Sequence, residues 1–143
     1  MKDKTEELLN KLKSIKNRSD LKNYIDIHGI ESNTNHLLDY ILKICSDKGY
    51  KKSDIIRNAN LNRTYGYQIL SGLKTPSRDK ILQICIGNQF TRTQTNKALT
   101  ISNWGILYAK SPKDSIIIYS LNKSLNLIET NIILDEHGYE PLE

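Results

Sequence analysis

The chain has little of the residues that mark several common protein classes. It has no valine, three prolines and two cysteines among 143 residues. Two cysteines are too few for a disulfide-rich secreted scaffold, and both Cys45 and Cys85 lie in apolar segments, so we expect buried, reduced thiols. No apolar run approaches the roughly 18 residues of a membrane span, and no apolar signal-peptide core follows the N-terminus. These absences predict a soluble, cytoplasmic protein with no membrane partner.

Groups that carry enzymatic chemistry are also scarce. His28, His36 and His137 are far apart in the sequence, and none has metal-ligand spacing with the cysteines. The chain has neither a P-loop nor a dinucleotide-binding fingerprint. We therefore expect no enzyme activity, no metal and no cofactor.

The absence of valine and of long alternation between apolar and polar residues argues against strands. Start and stop signals instead predict about eight helices. The clearest starts are Thr91, Ser111 and Asn126. Thr5, Asp20 and Asn35 are the expected starts of the first three helices, Gly29 is the expected end of the second, and residues 30–35 are an expected polar loop. The fold class is therefore predicted as all-α.

Charge is unevenly distributed along the chain, whose formal net charge is +5. Residues 51–80 contain seven Lys or Arg and two Asp, a balance of +5. Residues 124–143 contain five Asp or Glu and no Lys or Arg, a balance of −5. The basic segment is suited to phosphate neutralisation, although an ordinary solvated lysine-rich surface has the same composition.

A weak internal repeat covers the C-terminal half. With a shift of 35 residues, 77–107 overlays 112–142 with six identities in 31 positions, and the predicted helix caps coincide. The repeat predicts one helical hairpin used twice, each copy burying a face of the other. Coincidence among helices rich in Ile, Leu and Asn remains an alternative.

A helix-turn-helix pattern lies within residues 52–78. Two short helical segments are joined by a turn at Asn60-Leu61-Asn62, which is too short for anything but a sharp change of direction. Ala59 is small where the helices would approach each other, Asn60 tolerates a left-handed backbone, and Asn62 can cap the second helix. Gly72 then ends that helix.

Residues 59–63 (Ala-Asn-Leu-Asn-Arg) and 68–77 (Gln-Ile-Leu-Ser-Gly-Leu-Lys-Thr-Pro-Ser) resemble a known family. They are similar to the turn, recognition helix and fourth-helix entry of the Cro/CI-type (XRE-like) helix-turn-helix transcriptional regulators. The resemblance covers about residues 37–90, and later segments resemble a small subgroup of these regulators in low-GC bacteria. It implies a lambda-repressor-like five-helix domain that binds double-stranded DNA, with the helix over 63–71 in the major groove.

The resemblance also implies which side chains face DNA. The implied base contacts are Arg63, Thr64, Tyr67 and Gln68, of which Arg63 suits guanine and Gln68 suits adenine. The implied phosphate contacts are Lys51, Lys52, Lys74, Arg78 and Lys80. An exposed polar helix face without DNA contact is the alternative for Arg63 and Gln68.

Gly66 departs from the family pattern, because an aliphatic side chain is usually buried at its position. Glycine there costs about 1 kcal/mol of helix propensity, and we expect it to leave a gap that Tyr65 or Tyr67 turns to fill. A helix-turn-helix that had become a protein-binding module would look similar.

The sequence as a whole therefore predicts three parts. They are an N-terminal helical arm (1–35), a helix-turn-helix DNA-binding domain (36–107) and a C-terminal repeated helical hairpin packed on it (108–143). The expected function is sequence-specific DNA binding for transcriptional regulation, with a homodimer placing two recognition helices in successive major grooves. The alternative function is a helical adaptor, built on a helix-turn-helix fold, that binds a protein through the C-terminal repeat or the N-terminal helix. The aromatic residues Trp104, Tyr108, Tyr119 and Tyr139 would form either a partner surface or the core of the repeat.

Overall fold

The computed structural model describes residues 4–28 and 30–143, with side chains for 6–25 and 36–143. The chain divides into two compact units, Met1–Asn33 and Thr34–Glu143. Within the described ranges there is no strand, which confirms the predicted all-α class. In the same part of the chain, no helix is long and apolar enough to cross a membrane. The boundary predicted between residues 107 and 108 lies inside the second unit.

Nine helices occupy the described residues, against about eight predicted. They are α1 (Lys4–Lys13), α2 (Arg18–His28), α3 (Ile30–Asp47), α4 (Lys52–Asn58), α5 (Arg63–Leu70), α6 (Arg78–Gly87), α7 (Arg92–Ile101), α8 (Pro112–Asn122) and α9 (Leu127–Glu136). The predicted caps of α7, α8 and α9 are confirmed, because each cap side chain accepts a backbone N–H from the first helical turn.

The predicted starts of the first three helices are wrong. α1 begins at Lys4, before Thr5, and α2 is capped by Asn17, whose Oδ1 accepts the Asp20 N–H at 2.8 Å. Residues 30–35, predicted as a loop, form the first turns of α3. Polar residues such as Ser, Asn and Thr each cost less than about 0.7 kcal/mol in a helix, and extending an existing helix needs no new nucleus. Gly29, the expected end of α2, lies outside the described residues.

One hydrophobic core serves the whole second unit. Every helix from α3 to α9 contributes buried side chains to it, and the last two helices contact the preceding pair through α7·α8 and α6·α9. Cys45 and Cys85 are free thiols buried in this core. Burial raises the pKa of Cys45 to about 11 and that of Cys85 to about 12. Both thiols are therefore protonated and unreactive at neutral pH.

Helices α3 to α9 all end in the same way. Each is followed by a cap residue, then by one residue with a positive φ, and then by an aliphatic or aromatic residue whose N–H donates to the carbonyl five residues earlier. The left-handed residues are Gly49, Asn60, Gly72, Gln89, Asn103, Ser124 and Gly138. The aliphatic or aromatic residues are Tyr50, Leu61, Leu73, Phe90, Trp104, Leu125 and Tyr139, with donor–acceptor distances of 2.8–3.0 Å.

The predicted repeat is present in this geometry. A shift of 35 residues carries the bounds of α7 onto those of α9. The same shift carries the left-handed Gln89 onto Ser124. It also carries one tertiary hydrogen bond onto another, because Asn96 Oδ1 accepts the Leu107 N–H at 3.0 Å and Asn131 Oδ1 accepts the Leu142 N–H at 2.8 Å. The two hairpins therefore use equivalent residues for the same structural tasks.

Ser124 is an exposed residue whose φ is 54°. We predict that Ser124→Gly raises the free energy of unfolding by about 0.5–1 kcal/mol, because glycine adopts this backbone without a Cβ clash. Chemical denaturation measures the change. The matched control is Lys123→Gly, at φ −93°, which we expect to lower stability. A Ser124→Gly protein no more stable than the wild type would contradict this reading of the helix ends.

Candidate nucleic-acid interface

The first helix of the motif, α4, begins at a charged cap. Asp54 accepts the Lys51 N–H at 2.9 Å and pairs with Arg57 Nη2 at 2.6 Å. The hydrogen bond from the Lys51 N–H does most to hold the pKa of Asp54 below its ordinary value. Desolvation opposes it, and the Arg57 hydrogen bond and the charges of Arg57 and Lys51 add to the lowering. Lys51 and Lys52 therefore stand, exposed, at a rigid helix start.

The turn between α4 and α5 has the geometry that the sequence indicated. Ala59 is fully buried, and Asn60 has a φ of 51°. The Leu61 N–H donates to the Ile56 carbonyl at 3.0 Å. Asn62 Oδ1 accepts the Tyr65 N–H at 3.1 Å and so caps α5. The turn therefore fixes the backbone on both of its sides.

Gly66 leaves no gap, so the expectation that a tyrosine would fill one is wrong. Gly66 is buried, and a Cβ atom on it would lie 2.7 Å from Cγ1 and 2.9 Å from Cγ2 of Ile56. The Ile56 side chain already occupies the space that a side chain at position 66 would need. Glycine is needed here because α4 and α5 approach each other closely.

The opposite side of α5 faces solvent. Arg63, Thr64 and Tyr67 are exposed and Gln68 is half-buried, whereas Ile69 and Leu70 are in the core. These four polar residues, the predicted base contacts, therefore share the side of α5 that is free of core contacts. The Arg63 guanidinium carbon lies 6.0 Å from the centre of the Tyr67 ring. At an exposed site such a contact is worth about 0.5–1 kcal/mol.

A shallow groove of about 470 Å³ runs between α4 and α5 on this outer side. Its lining combines two arginines and a tyrosine with small polar and apolar groups: Ser53, Ile56, Arg57, Asn60, Leu61, Arg63 and Tyr67. The groove is therefore a cationic surface with hydrogen-bond donors along both edges. Donors of this kind suit phosphate oxygens and the edges of bases.

The five predicted phosphate contacts have different surroundings. Lys51, Lys52 and Lys74 are exposed. Arg78 donates to both carboxylate oxygens of Asp114, at 3.1 and 2.9 Å, and its Nε donates to the Gly105 carbonyl at 3.2 Å. These contacts use one N–H donor on each of its three guanidinium nitrogens. Arg78 therefore has a structural role inside the second unit.

The Arg78–Asp114 pair joins α6 to the start of α8. Asp114 is buried and also accepts the Tyr108 N–H at 2.9 Å. Burial acts to raise the pKa of Asp114, but the hydrogen bonds from Arg78 and Tyr108, with the charges of Arg78 and Lys113, outweigh it and lower that pKa. The carboxylate is therefore ionised, and it holds Arg78 close to the loop before α8.

Lys80, the last predicted phosphate contact, belongs to a network that supports the turn. Its Nζ donates to Gln83 Oε1 at 3.1 Å and lies 5.8 Å from the centre of the Tyr65 ring. Gln83 is buried, and its Nε2 donates to the Ala59 carbonyl at 2.6 Å. A second buried amide, Asn88, donates to the Ile55 carbonyl at 3.2 Å. α6 thus holds the end of α4 and the turn in place.

Sequence reasoning missed Gln83 and Asn88. A signal was available, because both lie in the largely apolar segment Ile81 to Phe90, and buried polar side chains need hydrogen-bond partners. Which partners they find could not be read from the sequence, since those partners are carbonyls of another helix.

The aromatic residues of the C-terminal half are mostly not in the core. Trp104, Tyr108 and Tyr119 are exposed, at 43%, 60% and 51%, so the core alternative is wrong for these three. Tyr139 is partly buried against the core and fits that alternative. Exposed aromatic side chains are common in protein-binding surfaces.

We predict that Gly66→Ala lowers the free energy of unfolding by about 1–3 kcal/mol, because the clash with Ile56 exceeds the gain in helix propensity. In an Ile56→Ala background the space is open, so the same change becomes neutral or stabilising. A double-mutant cycle measured by denaturation gives the coupling. A Gly66→Ala penalty of the same size in both backgrounds would contradict the packing described above.

Comparison of the chain with protein-family models, with curated proteins and with solved structures gave no match. No relative therefore assigns a family or a function to this chain. The observations that bear on function are geometric: the described residues form helices only, with a short helix-turn-helix, an exposed polar face on α5 and exposed lysines before α4 and after α5.

Proposed function

We propose that this protein binds double-stranded DNA in a sequence-specific manner and regulates transcription. α5 is the recognition helix, and the second unit has the lambda-repressor-like arrangement. The observation that carries the proposal is the exposed face of α5, where Arg63, Thr64 and Tyr67 project beside the turn while Gly66 holds the opposite side in the core. No step of catalysis is part of the proposal, and the protein would act in the cytoplasm.

The chemistry of this face supports DNA readout. Arg63 has the donors for a bidentate contact with guanine, and Gln68 has the donor and acceptor for one with adenine. The Tyr67 ring restrains the Arg63 side chain, which reduces the conformational entropy that binding would cost. Lys51, Lys52 and Lys74 are exposed and lie in the sequence at the start of α4 or just after α5, so we propose them as the phosphate contacts.

The proposal includes a homodimer. A single recognition helix reads only a short half-site, and a two-fold pair places two such helices about 34 Å apart in successive major grooves. The operator would then be palindromic with half-sites about one helical turn apart.

A protein-binding adaptor is the second candidate. The observation that favours it is the exposure of Trp104 and Tyr108 in the loop before α8. Both functions are compatible in one molecule, because these aromatics are remote in sequence from α5. Failure to bind any duplex at low salt would leave the adaptor as the better proposal.

We predict that Arg63→Ala and Gln68→Ala each relax base preference at one position of the operator by about 1–3 kcal/mol. The measurement is selection from a random duplex library by the wild type, followed by affinities for single-base variants of the selected site. Arg92→Ala, which removes an exposed cation from the start of α7, is the control and should leave the preference intact. Unchanged base preference in both α5 variants would rule out the recognition-helix assignment.

We predict that Lys51→Ala, Lys52→Ala and Lys74→Ala each lower the affinity for the selected duplex and for a random duplex by the same factor. Each should lower the slope of log affinity against log salt by about one, since each lost phosphate contact releases one counterion fewer. Arg78→Ala should instead lower stability, because it leaves the buried Asp114 carboxylate without its partner. Equal salt slopes in the wild type and all three lysine variants would refute the assigned phosphate contacts.

A further inference from the structure

The outer face of α9 carries an apolar stripe that the core does not use. Ile128 and Ile132 are 73% and 53% exposed, and they lie one helical turn apart on the side opposite Leu127 and Leu134. Exposed isoleucines at this spacing form a continuous surface. Asp135 and Glu136 continue the same side of the helix and are also exposed.

The C-terminal tail turns this stripe into a groove. The Asn131 side chain holds the tail beside α9, because its Oδ1 accepts the Leu142 N–H at 2.8 Å and its Nδ2 donates to the Leu142 carbonyl at 3.1 Å. The groove has a volume of about 590 Å³. It is lined by Ile128, Asn131, Ile132, Asp135, Glu136, Pro141 and Glu143.

The internal repeat shows that the fold does not require this surface. The positions on α7 that correspond to Ile128 and Ile132 are Thr93 and Lys97, and both are exposed. The first hairpin therefore has an equivalent helix cap and an equivalent hydrogen bond from the Leu107 N–H to Asn96, although the outer face of α7 is polar. The isoleucines on α9 are consequently unexplained by the stability of the hairpin.

The charge of the second hairpin also differs from that of the first. The outer face of α7 includes Arg92 and Lys97, whereas residues 124–143 contain five acidic residues and no Lys or Arg. Three of those carboxylates, on Asp135, Glu136 and Glu143, border the groove. Two exposed isoleucines beside three carboxylates, with no cation in the lining, are complementary to a ligand with an apolar stripe and cationic edges.

We propose that this groove binds a basic amphipathic helix of a partner protein. Apolar side chains at positions i and i+4 of that helix lie over Ile128 and Ile132, and its Lys or Arg side chains face the rim carboxylates. The carboxylates select the sign of charge, and the isoleucines supply the apolar contact. The site is remote from α5 in sequence and holds independently of the proposed DNA binding.

The test uses a labelled synthetic peptide of about 18 residues, or five helical turns, with leucines along one face and lysines along the other. Fluorescence anisotropy at low salt measures its binding to the full-length protein. The control is a peptide of the same composition in scrambled order, which has the same charge but no apolar face. We expect the wild type to bind the ordered peptide about tenfold more tightly than the scrambled one, as one or two apolar anchors would supply.

Two variants of the groove and one control make the test specific. Ile128→Thr with Ile132→Lys installs the residues of the first hairpin, and Asp135→Asn with Glu136→Gln and Glu143→Gln removes the rim charge. Each variant should bind the ordered peptide about tenfold more weakly than the wild type does. The control is Ile106→Thr, at an exposed isoleucine outside the groove, and it should bind the peptide as tightly as the wild type.

Thermal melting checks that each variant is folded. If the variant with both isoleucines replaced is unfolded, the affinity of the folded charge variant for the ordered peptide decides whether the groove binds it. The proposal is overturned if the wild type binds neither peptide, binds both equally, or loses no affinity in the folded groove variants.

Discussion

The position of α5 depends on one close contact, the Ile56 side chain of α4 against the backbone of α5 at Gly66. A Cβ on Gly66 would overlap Ile56, so only glycine lets the two helices reach this separation. The buried Gln83 amide then holds the Ala59 carbonyl at the turn. Because the core fixes one side of α5, the other side is fixed as well, and Arg63 is exposed next to the turn. Any binding by this face uses a surface whose orientation is set before a ligand arrives.

The second unit combines a shared scaffold with two different surfaces. Its hairpins repeat the same caps, left-handed residues and Asn-to-tail hydrogen bonds, and these leave the outer faces of α7 and α9 free to differ. The basic segment 51–80 contains the helix-turn-helix, and the acidic segment 124–143 contains the last helix. The chain thus has a modest net charge although its basic and acidic residues are concentrated in different segments. The basic segment is suited to an anionic ligand, and the acidic segment is suited to a cationic one.

Local signals in the sequence were sufficient for the helical fold and for the turn, where Asn60 has the expected left-handed backbone. They failed at residues 30–35, because weak helix formers still extend a helix that others have nucleated. They misread Gly66, because the sequence does not show which side chain of another helix fills the space. They gave Arg78 as a phosphate contact, and its ion pair with Asp114 could not be read from the sequence because only tertiary folding brings the two residues together. Local chemistry was therefore predictable, whereas contacts between distant residues were not.

We propose that the exposed face of α5 is the surface that contacts DNA. The decisive measurement records backbone amide NMR shifts while a selected duplex is added to the full-length protein. DNA binding by this face should concentrate the shifts at Lys51–Lys52, at 60–68 and at Lys74, and should leave the amides of α9 unchanged. Shifts confined to α9 or to the loop before α8, or no shifts with any duplex at low salt, would contradict it.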